Sequence, residues 1–220
     1  MTRENKKKKA IEIVSRRDNG RMLSYLNSCV HCGLCADSCI FYLTGNDPKF
    51  IPARKVDLVA SVYRRYNTLS GRLVPGLTGA RELDDETVRE MVDLLYGACT
   101  MCGRCTLHCS VGLDISEVVR TGRNMLSAMD LVPATLQSTV RAAMETGNNM
   151  GISKEDLVDT IKWLEEDLQF ELDDNTARIP LDEPGKKVIY TLNPREPKFF
   201  PLSISAMAKI FHIAGESWTL

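Results

Sequence analysis

The chain's eight cysteines fall at 29, 32, 35 and 39 and again at 99, 102, 105 and 109. Each group reads C-x2-C-x2-C-x3-C, and no cysteine lies outside the two groups. In residues they are Cys29-Val-His-Cys32-Gly-Leu-Cys35-Ala-Asp-Ser-Cys39 and Cys99-Thr-Met-Cys102-Gly-Arg-Cys105-Thr-Leu-His-Cys109. A chain of 220 residues buries enough surface to fold without covalent staples, so this is not the framework of a small secreted module. No apolar segment follows the basic run Lys6 to Lys9, so a secretory leader is not expected. The thiols are therefore read as reduced and cytoplasmic, kept for metal or catalysis. A net charge of -1 and a pI near 6.3 give no reason to expect a nucleic-acid partner.

This spacing is the run that ligates cubane iron–sulfur clusters in two-cluster ferredoxins. Three thiolates two residues apart can wrap one cluster in a tight loop. Gly33 and Gly103 occupy equivalent places, where a missing side chain permits positive φ and brings backbone close to sulfur. The fourth cysteine lies one helical turn further on and is expected to reach the neighbouring cluster. Cluster A is then assigned to Cys29, Cys32, Cys35 and Cys109, and cluster B to Cys99, Cys102, Cys105 and Cys39. Structural zinc is the weaker alternative, because zinc sites draw on C-x2-C pairs rather than runs of four. Thiol redox chemistry is weaker still. His31 and His108 adjoin ligands but are not needed when four cysteines serve each cluster. Tyr25 and Tyr42 read as core, and Met101 as packing. Arg104 sits inside the second loop, opposite Leu34 of the first, and a cation there favours the reduced cluster.

The insert between Cys39 and Cys99 reads as helical. Val56, Leu58, Val59 and Val62 recur at helical spacing after Pro52, which suits a first turn. Asp85 or Thr87 is placed to cap a second helix through Tyr96, and residues 67–82 read as an irregular loop. Asp114 with Glu117 predicts a capped helix to about Met129. A helix after Pro133 and another after Ser153 follow. The acidic run from Glu165 to Asp174 is read as a solvated face. Near residue 180 the pattern changes to a strand over 187–192, a helix over 202–214 and a second strand at Trp218. The expected organisation is a mobile basic arm over 1–19 (with Arg16 and Arg17), an alpha-helical ferredoxin domain over 20–130, a helical extension over 131–178 and a βα segment over 179–220. The fold class is mainly α, with two [4Fe-4S] clusters and a short C-terminal βα segment, the start of a truncated or partner-completed α/β domain.

With its paired runs, the helical insert and the βα onset, the chain resembles iron–sulfur subunits related to heterodisulfide reductase, of the D-type or sulfite-reduction-associated group. Gly45-Asn46-Asp47-Pro48-Lys49, Ser61-Val62-Tyr63-Arg64-Arg65-Tyr66 and Gly79-Ala80-Arg81-Glu82-Leu83 look like that group. The resemblance implies an N-terminal ferredoxin part similar to that of succinate dehydrogenase and fumarate reductase iron–sulfur subunits. It further implies a catalytic partner or C-terminal half with cysteine-rich CCG motifs, and a membrane b-type cytochrome or a flavoprotein at the other end. The chain has no Cys-Cys-Gly and no cysteine after 109, so that half is expected to be missing or separately encoded. The implied role is a non-catalytic electron-transfer subunit, cytoplasmic or peripheral on the inner face of the membrane through a partner. A structural or regulatory iron–sulfur protein is the alternative; a self-sufficient enzyme is disfavoured, because no thiol is left for catalysis.

Overall fold

The computed structural model describes residues 2–15 and 20–220; Arg16 and Arg17 of the expected arm lie outside the described residues. The chain divides into two compact units, Met1–Pro133 and Ala134–Leu220.

In the first unit, α1 (Arg3–Ser15) and α2 (Gly20–Ser28) precede the first cysteine run. The basic segment is not a free arm. Its small residues Ala10 and Val14, four apart on one face of α1, are buried, while the lysines stay on the outside and Lys6 pairs with Asp130 at 2.6 Å. Arg3 pairs with Asp85. A short helical turn at Ala36–Ser38 leads into α3 (Ile40–Gly45). The long α4 (Pro52–Asn67) starts with proline in its first turn and buries Val56, Val59 and Val62 almost completely. The stretch expected to be irregular folds as two short helices, α5 (Leu69–Leu73) and α6 (Pro75–Thr78). The Thr68 hydroxyl accepts from Gly71 N at 3.0 Å to start the first, and Pro75 opens the second.

The following helix, α7 (Asp85–Val92), is capped one residue earlier than expected. Asp84 Oδ1, not Asp85 or Thr87, accepts from Thr87 N at 2.9 Å. Its last turn widens into a π-helical segment at Asp93–Gly97 that delivers the chain to Cys99. After the second run and its single turn α8 (Arg104–Leu107), Asp114 caps α9 (Ile115–Ala128) as expected, accepting from Glu117 N at 3.0 Å. Helix α9 buries Val118, Val119, Met125 and Leu126 against α1 and α4 in one core. Gly122 sits where the crossing is tightest: a Cβ there would lie 2.5 Å from Leu95 Cδ1 and 3.0 Å from Val59 Cγ2.

The second unit contains α10 (Ala134–Thr146), α11 (Lys154–Leu172), α12 (Glu196–Phe199) and α13 (Pro201–Ile213). Helix α11 is capped by Ser153, whose hydroxyl accepts from Asp156 N, and its Ile161, Leu164 and Leu168 stripe packs with Ile204 and Ala208 of α13. The expected strands are present but short: β1 (Val188–Ile189) pairs parallel with β2 (Trp218–Thr219), Val188 opposite Trp218. Part of the acidic run is structural rather than merely solvated. Glu165 accepts from Ile179 N at 2.6 Å, Glu171 pairs with Lys209, and Asp174 meets His212 at 2.9 Å.

Candidate iron–sulfur centre

All eight cysteines are free thiols placed at two cavities of the first unit. One cavity is lined by Cys29, Cys32, Cys35 and Cys109; the other by Cys39, Cys99, Cys102 and Cys105. Each draws three cysteines from one run and the fourth from the other. The exchange follows from local structure. The last x3 step carries Cys39 past the turn at Ala36–Ser38 and Cys109 past α8, and each lines the cavity of the other run. Ile115, at the start of α9, lines both cavities, so the two sites share one side chain as a wall.

The loops repeat at the level of single dihedrals. Gly33 and Gly103 have φ of 84° and 74°, the left-handed conformation expected of them. His31 and Met101, which also occupy equivalent places, share it at 53° and 60°. For residues with a Cβ this conformation is strained, and it recurs in both loops at the turn around the cavity. The sequence reading named His31 and Met101 but not their left-handed backbone, whose sequence signal is the equivalence of the two runs.

The sulfur environments match too. Hydrogen bonding from the Ser110 hydroxyl, at 3.5 Å, and from the Leu34 amide holds the Cys32 thiol below its ordinary pKa. The Arg104 amide, with help from Thr100 and the Arg104 charge, does the same for Cys102. Leu113 N donates to Cys109 Sγ at 3.3 Å. Deeper thiols go the other way. Burial raises Cys29 and Cys35, and burial together with the neighbouring Cys99 pushes Cys105 up to about 11. Such sites are soft donors with amide hydrogen bonds aimed at sulfur, in walls that are mostly apolar. That chemistry suits thiolates whose charge is shared with iron. Among the described residues no group of three or more His, Cys, Asp or Glu is placed to hold a metal ion, and the thiols line the two cavities. Four thiols at each cavity are a donor set that fits an iron–sulfur group.

The other expected residues are placed as follows. His31 Nε2 meets Asp57 Oδ1 at 2.8 Å, and His108 is exposed at the end of α8 and lines neither cavity. Tyr25 packs against the core. Two cations that sequence reasoning did not single out hold the segment leading to Cys99. Arg123 of α9 donates to Leu95 O at 2.8 Å and Cys99 O at 2.6 Å, and Lys55 of α4 donates to Ala98 O at 2.5 Å. They satisfy carbonyls that the end of the π segment leaves without helical partners. No helix among the described residues is long and apolar enough to cross a membrane.

Residues 25–113 match the family model described as a 4Fe-4S dicluster domain, which supports iron–sulfur cofactor binding in general. Over 128 residues, 58% of the chain, it is 38% identical to the Hdr-like menaquinol oxidoreductase iron-sulfur subunit 2 of Archaeoglobus fulgidus. It is 39% identical over the same share to the corresponding iron-sulfur subunit of Archaeoglobus profundus. The aligned part spans only 23% of each Archaeoglobus relative. Over 150 residues it is 28% identical to the D-type subunit of the dihydromethanophenazine:CoB–CoM heterodisulfide reductase of Methanosarcina barkeri, covering 35% of that protein.

Proposed function

We propose, for a chain homologous to the iron–sulfur subunits of heterodisulfide reductase-related complexes, that it is the electron relay of such a complex and carries no substrate chemistry of its own. Cys29, Cys32, Cys35 and Cys109 hold one [4Fe-4S] cluster; Cys39, Cys99, Cys102 and Cys105 hold the other. When bound, each cluster accepts or releases one electron at a time. The chain's own residues supply the rest. The amides of Leu34, Arg104 and Leu113 stabilise charge on sulfur, the strained loops hold the thiols in place, and Ile115 keeps the two sites a single side chain apart.

The observation that carries this reading is the partition of eight cysteines into two crossed sets of four around adjoining cavities. It uses every thiol and leaves none as a nucleophile. The partners are a CCG-bearing catalytic subunit or C-terminal half on one side and a membrane b-type cytochrome or flavoprotein on the other. The location is cytoplasmic, peripheral to the membrane through that partner.

The test is anaerobic affinity purification of the chain from its native cell, followed by chemical reduction and mixing with whatever co-purifies. A CCG-bearing protein that reoxidises the chain in one-electron steps supports the relay. A chain recovered with its clusters but exchanging electrons with no haem, flavin or CCG protein would instead make it a structural or regulatory iron–sulfur protein.

A further inference from the structure

The two cavity walls differ in charge. Two charged side chains line the cavity of Cys39, Cys99, Cys102 and Cys105, Lys55 and Arg104, and both are cations. Besides its cysteines, the other cavity is lined by a single ionisable side chain among the described residues, His31, which is bound to Asp57. Lys55 and Asp57 are two residues apart on α4, so one helix sets a cation beside one centre and a carboxylate near the other.

Burial separates the two cations. Arg104 is exposed, and water screens its field. Lys55 is 2% exposed. Its ammonium is held by Ala98 O at 2.5 Å and lies 5.8 Å from the Phe41 ring centroid, and no ion pair joins it among the described residues. A buried ammonium with one carbonyl and one ring for company is poorly compensated, since burying a charge is costly unless it is paired. The groups that face it across the cavity are the thiols of Cys39, Cys99, Cys102 and Cys105. A cluster with thiolate ligands is negative and becomes more so on reduction, and interior charges interact far more strongly than exposed ones.

We propose that Lys55 is the counter-charge of the centre held by Cys39, Cys99, Cys102 and Cys105, and makes it the higher-potential member of the pair. This rests on the reading that both cavities hold clusters. Lys55 biases the exchange of a single electron between them. With both clusters bound, passing the electron would oxidise the centre of Cys29, Cys32, Cys35 and Cys109 and reduce its neighbour, and no bond would form or break. The electron therefore rests beside α8, away from Asp57.

Lys55→Gln removes the charge but keeps a hydrogen-bond donor for Ala98 O, and Lys55→Arg keeps both. The readout is an anaerobic redox titration of the whole chain followed by EPR. Cys32→Ser, altering a ligand of the first cavity, identifies that cavity's wave. In Lys55→Gln the reduced-to-oxidised ratio of the higher wave should fall at least tenfold at fixed solution potential, a drop of about 59 mV for one electron. The lower wave should move less, Lys55→Arg should restore the parent value, and Arg104→Leu should have a smaller effect than Lys55→Gln. If Lys55→Gln and Lys55→Met both fail to assemble the second centre while Lys55→Arg retains it, the counter-charge role is also supported. An assembled second centre with an unmoved potential in Lys55→Gln overturns the proposal and leaves Lys55 as a cap for Ala98 O. Absence of two cluster signals from the parent protein would instead refute the cluster reading beneath it.

Discussion

Gly122 sits at a crowded helix crossing in the core of the first unit, and Gly122→Ala puts a number on it. The added methyl would stand 2.5 Å from Leu95 Cδ1, closer than real Cβ contacts, and 3.0 Å from Val59 Cγ2. Leu95 and Val59 are both 0% exposed, so neither can swing into solvent to relieve the clash. Overpacking of this kind costs about 1–3 kcal/mol, and two immobile neighbours place it in the upper half of that range. Against it, replacing glycine by alanine within a helix returns about 1 kcal/mol. The net is a loss of about 1–2 kcal/mol. For a chain of this size that lowers Tm by roughly 2–8 °C. Gly97→Ala is the control. Gly97 lies in the π segment with nothing within 4 Å of a built Cβ and no positive φ, so the same substitution should leave Tm level or raise it by a few degrees. The assay is helical circular dichroism of the cluster-loaded protein, heated anaerobically at one fixed rate. If Gly122→Ala were as stable as Gly97→Ala, the close crossing of α9 over α4 and Leu95 would be refuted.

Arg123→Met removes the donors to Leu95 O and Cys99 O. It should cost about 1.5–3 kcal/mol in thermal unfolding and lower the iron content of the second centre, as checked by iron and sulfide analysis. Asp114→Ala should cost about 1–2 kcal/mol by uncapping α9. The Asp114 carboxylate is held below its ordinary 3.8, first by the Ser116 hydroxyl and then by the Glu117 amide. Because the folded pKa is depressed, its contribution is present above 3.8 and is lost as pH falls through the folded value. The Tm gap between the parent and Asp114→Asn should accordingly be constant above about pH 5 and close at lower pH.

The gathering of the thiols at two cavities was legible because the cysteine spacing is local in sequence. Two residues between thiolates make a loop, three more reach the next site, and neither depends on distant packing. Gly33 and Gly103 could be read for the same reason. Lys55 could not. Beside Arg54 and Asp57 it looks like any charged residue on an amphipathic helix, and only the tertiary meeting of α4 with the segment before Cys99 buries it. The N-terminal basic run was misread by the same route. Four lysines dominate its composition, and the two small residues that dock α1, Ala10 and Val14, make too faint a stripe to outweigh them. Caps were legible to within a residue: Asp114 and Ser153 stand where expected, while Asp84 takes the role given to Asp85 or Thr87. The 67–82 stretch reads as irregular because its glycines and proline punctuate it, yet Thr68 and Pro75 each start a short helix between them.

The crossed assignment is tested most directly by removing one thiol from the second run and asking which centre responds. Cys109→Ala, purified anaerobically and reduced, should lose or alter the EPR signal that Cys29→Ala alters, and leave the one that Cys99→Ala alters intact. If Cys109→Ala and Cys99→Ala disturb the same signal while that of Cys29→Ala is untouched, each run binds its own cluster and the crossed ligation is contradicted.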